Sequence, residues 1–61
     1  MIISLTDETG IKFDVNPLLI DTVQQKGNKT ELIMATGERV QCKESASLIM
    51  KAIVDSKFKR S

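Results

Sequence analysis

Asn16-Pro17-Leu18-Leu19-Ile20 is the stretch that decides the fold. The residues before and after it alternate like β-strand, and these five do not. Proline fixes its own φ, supplies no N–H and biases Asn16 towards extended geometry. Two adjacent leucines follow where a surface loop is normally polar. The stretch reads as a short helical turn that plugs its leucines into the core and hands the chain to a new strand at Ile20. Leu18, Leu19 and Ile20 are all assigned to the core.

Upstream of this plug, Ile2-Ile3-Ser4-Leu5-Thr6 reads as one strand and Ile11-Lys12-Phe13-Asp14-Val15 as a second. Ile11, Phe13 and Val15 share one face and Lys12 and Asp14 the other, a period of two. Asp7-Glu8-Thr9-Gly10 turns one into the other, making a hairpin. Downstream, Ile20–Gln25 is a weaker strand whose alternation slips. Lys26-Gly27-Asn28-Lys29 then turns into Thr30-Glu31-Leu32-Ile33-Met34. Ala35–Glu38 leads to Arg39-Val40-Gln41-Cys42, with Val40 and Cys42 towards the core and Arg39 and Gln41 towards water. Cys42 is then a small buried hydrophobe, not a reactive thiol.

A helix follows from a Ser45 N-cap, with Glu44 beside the positive end of its dipole, to about Lys57. The positive charges of Lys57, Lys59 and Arg60 suit its negative end. At about 100° per residue, Leu48, Ile49, Ala52 and Ile53 form an apolar arc that should cover the sheet. Met50, Val54 and Phe58 form a second stripe on a different side. A surface helix of a small monomer normally keeps one such stripe. The second either lies in a groove of its own sheet or docks on another chain. A small core has little room for a helix buried on two sides, which favours docking. Burying these three side chains would contribute roughly 4–8 kcal/mol before association costs.

The expected fold is α+β, mainly β: one domain over residues 1–61, an antiparallel sheet of four to five strands with one C-terminal helix packed on it. A chain of 61 residues buries only ~60% of its unfolded surface, so self-association is the expected supplement. Cys42 is alone and there is no His, which removes a disulfide framework and an ordinary zinc site. No apolar run reaches the ~20 residues of a membrane span, and no signal-peptide pattern opens the chain; the expectation is cytoplasmic. Residues 1–42 carry four basic and six acidic groups, and residues 43–61 five basic and two acidic. That makes a short basic tail, not a nucleic-acid-binding stripe.

Catalytic equipment is missing from the pattern. Ser4, Ser45, Ser47 and Ser56 have no histidine to activate them. All eight acidic residues fall in turns, on strand solvent faces or on the helix, and are read as solvated. The glycine turns are isolated and cradle no phosphate. Two Phe without Trp or Tyr make poor stacking platforms for single strands. The chain is expected to be no enzyme and to use no cofactor and no metal.

In order, these pieces resemble the small flagellar proteins of the FlbD/SwrD family. The resemblance rests on Leu5-Thr6 ending an opening strand, the Gly10 turn into Phe13, and Asn16-Pro17-Leu18-Leu19-Ile20-Asp21-Thr22-Val23. That run is similar to the family's N-x-x-L-I-E-x-V core. Thr30, Leu32, Gly37-Glu38 and Lys43-Glu44-Ser45, then Ile49 and Ile53 on the helix, continue it over almost the whole chain. The resemblance implies a bacterial, cytoplasmic, non-enzymatic accessory protein of flagellar assembly or motor function, acting by protein–protein contact. Ala46–Met50 carries less charge than the family's helix usually does. Met50, Val54 and Phe58 are the candidate partner-binding residues, for a motor or assembly component or a second copy, with an exposed strand edge as the alternative contact. The alternative class is a small nucleic-acid-binding regulator. Residues 20–53 also resemble half of a LytTR-type DNA-binding domain, and the length and Gly27-Asn28 turn match a carbon storage regulator-like RNA-binding dimer. Scattered positive charge speaks against both.

Overall fold

The computed structural model describes residues 2–58, the side chain of Phe58 excepted. β1 (Ile3–Thr6) and β2 (Lys12–Val15) pair antiparallel, with Leu5 opposite Phe13. Asp7 builds the turn between them. Its Oδ1 accepts from the backbone N–H groups of Thr9 at 2.9 Å and Ile11 at 3.0 Å and from the Thr9 hydroxyl at 2.6 Å. These bonds, the Thr9 hydroxyl's first, hold its carboxyl below the usual range. Ile11 lies outside β2 and is exposed, while Phe13 and Val15 pack against the core.

The plug is present but turned inside out. Asn16 Oδ1 accepts from the Leu18 N–H at 3.0 Å and caps a single 3₁₀ turn over Pro17–Leu19. Pro17 is the buried member, whereas Leu18 and Leu19 are 61% and 52% exposed. A 3₁₀ turn has about three residues per turn, so three consecutive side chains diverge and only one can face inward. Proline takes that place. Ile20, on the strand that follows, is half-buried against the core.

β3 (Ile20–Lys26), β4 (Lys29–Met34) and β5 (Arg39–Cys42) form an antiparallel meander in that order. Gly27 at φ +63°, with Asn28 at negative φ, matches the glycine-first type II′ loop that suits a two-residue hairpin. The hairpin and the meander are separate sheets joined end to end. Asp7 bridges Cys42, and the Lys43 N–H donates to the Thr6 carbonyl at 2.9 Å. The class is the expected mainly-β α+β, its five strands divided two and three.

The core consists of Ile3 and Leu5 from β1, Leu32 and Cys42 from the meander, and Ile49 and Ile53 from α1 (Ala46–Phe58). Ser45 caps the helix as expected, its Oγ accepting from the Leu48 N–H at 3.2 Å. Glu44 turns instead to β1, where its Oε1 accepts from the Thr6 N–H at 2.9 Å. Two polar groups from the meander set the start of α1. Gln25 Oε1 accepts from the Ala46 N–H at 2.7 Å, and the Thr30 hydroxyl, fully buried, donates to the Glu44 carbonyl at 2.7 Å. α1 packs chiefly against β3 and β1. Leaning on two strands, it buries a narrow strip of Ile49, Ala52 and Ile53 and leaves Leu48 55% exposed. The expected arc was too wide by that residue.

One acidic residue is not solvated. Glu31 lies mid-sheet on β4, with Gln24 and Gln41 opposite it on the flanking strands, and is 6% exposed. Its carboxylate accepts from Lys26 Nζ at 2.9 Å, Arg39 Nη1 at 3.1 Å and Gln41 Nε2 at 2.9 Å. A central strand brings basic groups from both neighbours within reach of one carboxylate. The Lys26 bond, with Gln41 and the Arg39 charge, holds Glu31 below the usual carboxylate range against the opposing effect of desolvation.

Candidate protein interface

On α1, about 100° per residue places Met50 a quarter-turn from Ile49, and Val54 a little further round. Met50 is 47% and Val54 48% exposed, although the same helix fully buries Ile49. The stripe read from the sequence therefore lies outside the core at both described positions. The Phe58 side chain, like Lys59 and Arg60, lies outside the described residues. Lys57 occupies the last turn.

Met50 faces a groove rather than open water. One wall is Pro17, Ile20, Asp21, Thr22 and Val23; the other is Met50, Ile53 and Lys57; the space is about 360 Å³. Leu18 and Leu19 stand exposed on the turn whose flanking residues, Pro17 and Ile20, line it. Five apolar side chains interspersed with Asp21, Thr22 and Lys57 suit docking of a protein surface of mixed chemistry. A second hollow, of about 310 Å³, is lined by Glu8, Asn28, Lys29 and Lys43 where two hairpin loops approach each other.

Among the described residues, Cys42 and three of the four serines make contacts within the fold. Burial, then the charges of Glu44 and Asp7, pushes the Cys42 thiol up to about 11, which keeps it unionised at neutral pH. Ser4 donates to Asp14 at 3.0 Å, Ser56 to the Ile53 carbonyl at 2.9 Å, and Ser45 caps α1. Among the described residues no three His, Cys, Asp or Glu side chains gather as a metal site would need, and no helix is long and apolar enough to cross a membrane. Sequence reasoning missed the exposed pair Leu18 and Leu19. It also missed Gln25 and Glu31, although the Gly27-Asn28 loop sets the register that brings Lys26 beside Glu31.

Searches of curated proteins and of solved structures returned no match to the chain. A family comparison did, over residues 1–60, and the family is described as flagellar and swarming motility proteins. With nearly every residue inside that match, the chain belongs to the FlbD family, and its role lies in flagellar and swarming motility.

Proposed function

We propose that the protein is a non-enzymatic, cytoplasmic accessory of flagellar assembly or motor function, and that it acts by protein–protein contact through Met50, Val54 and Phe58. One observation carries the reading: Met50 and Val54 remain about half exposed on a helix whose adjacent residues form the core. Apolar side chains kept out of a small core, beside a groove of mixed apolar and charged lining, are what a docking surface requires. The test is a photo-crosslinking residue placed at Val54 in swarming cells, with the same residue at exposed Thr36 as control. A discrete adduct from position 54, absent from position 36, is expected. Equal or absent labelling at the two positions would overturn the contact.

A further inference from the structure

The docking reading leaves open what covers the groove, and the backbone of β3 narrows the choice. Among the described residues β3 is an edge strand, paired on one side only, with β4. Its two-residue loop closes on the Lys26–Lys29 pair, which is hydrogen-bonded in such hairpins, and pairs then alternate along the ladder. Lys26, Gln24 and Thr22 therefore spend both backbone groups on β4. Val23 and Gln25 turn theirs to the free side. Beyond the ladder, no hydrogen bond among the described residues engages the backbone of Val23 or Gln25.

Edges are normally blunted by charge, bulges or brevity. β5, the other edge of the same sheet, is four residues long and carries Arg39; β2, an edge of the other sheet, is four residues long and carries Lys12 and Asp14. β3 is seven residues long, with a register irregularity at Ile20/Thr22 and Lys26 at its far end. Between them Thr22-Val23-Gln24-Gln25 is an uncharged, unguarded window. The same side of the molecule presents Met50, across the groove from Ile20–Val23. An unpaired strand edge and an unpaired apolar helix flank thus lie side by side.

Resting on the docking reading, we infer that the occupant is a second copy of this chain, paired antiparallel through β3 about a two-fold axis at Val23. That register sets Val23 opposite Val23 of the second copy, in the hydrogen-bonded position its free backbone groups demand. Thr22 then faces Gln24, and Asp21 faces Gln25, so no like charges meet on the strand. The two α1 helices lie on the same side of a continuous six-stranded sheet and meet through Met50 and Val54. The groove's two charges, Asp21 and Lys57, are opposite in sign, so doubling it adds no net charge.

Size sets the expected strength. β3 is about 23 Å long and α1 about 20 Å, and sheet plus helix stand roughly 20 Å high. A footprint of roughly 400–500 Å² per copy is below the ~800 Å² of a standard interface. The dimer is therefore concentration-dependent.

Light scattering from about 5 to 500 μM should show the mass rising from 6.8 kDa towards twice that value. Met50→Glu/Val54→Glu should hold it at 6.8 kDa with an unchanged far-ultraviolet spectrum. Register is read by cysteines: an oxidised mixture of Thr22→Cys and Gln24→Cys chains should cross-link far more than either alone. A mass of 6.8 kDa at every concentration, or cross-linking no greater in the mixture, overturns the pairing. If such a monomer still gives the Val54 adduct in cells, the docking surface stands and serves a different protein. If the dimer forms and the adduct is absent, the pairing stands and the proposed contact in motility falls.

Discussion

The two sides of α1 carry the same kind of side chain into opposite surroundings. Ile49 and Ile53 are 0% and 7% exposed; Met50 and Val54, each one residue further along, are 47% and 48% exposed. Hydropathy does not separate the pairs. What separates them is the rotation of the helix, set at its start by Gln25 and Thr30 and along its length by contact with β3 and β1. A helix resting on two strands buries a narrow strip, and the apolar residues beyond it are available to another chain.

The largest effect should come from the buried side. Ile49→Ala removes a fully buried side chain and should cost about 2–5 kcal/mol, measured by urea denaturation. A domain of this size holds only about 3–9 kcal/mol in all, so the variant's urea midpoint should fall steeply. Met50→Ser with Val54→Ser should change the monomer's stability by no more than about 1 kcal/mol. Similar losses for the two variants would erase the distinction between the sides.

The next effect tests what sets the rotation. Thr30→Val keeps the shape but leaves the Glu44 carbonyl without the hydroxyl that meets it inside the protein. A loss of about 1–3 kcal/mol is expected, together with weaker amide-exchange protection in the first turn of α1. A stable variant with that turn still protected would mean that apolar packing alone orients the helix.

Glu31 gives a smaller, pH-dependent contrast on the sheet face away from α1. Its carboxyl sits below the ordinary 4.5 because Lys26 bonds the charged form. The unfolded chain therefore takes up the proton first. The contribution is fully present above pH 4.5 and is lost as pH falls through the lower folded value. Glu31→Gln should flatten stability against pH across that acid range, followed by urea midpoints; an unchanged profile would remove Glu31 as the cause. The smallest effect belongs to Leu18→Ser with Leu19→Ser, within about 0.5 kcal/mol for each exposed site.

Much of the fold was legible because β1, β2 and β5 alternate with a period of two and the turns carry Asp7, Gly27 and Gly37 where the backbone needs them. Ser45 marked the helix start for a similar reason: its hydroxyl meets the Leu48 N–H. Two things escaped. The pattern Pro-Leu-Leu says apolar, but only 3₁₀ geometry decides that Pro17, not the leucines, points inward. Leu48 is as apolar as its neighbour Ile49, and nothing local shows that it falls outside the buried strip. At the candidate interface the second stripe was visible in sequence. Which strand leaves its edge free beside that stripe was not, because that is a property of strand order and not of residue type.

Whether the exposed side of α1 is used in the cell decides its role. The direct measurement is swarm expansion by cells whose only copy of the protein is Met50→Glu/Val54→Glu, at matched protein level and with the purified variant's thermal midpoint recorded. Swarming is expected to be lost with the midpoint unchanged within a few degrees. Full swarming from the folded variant would contradict that role.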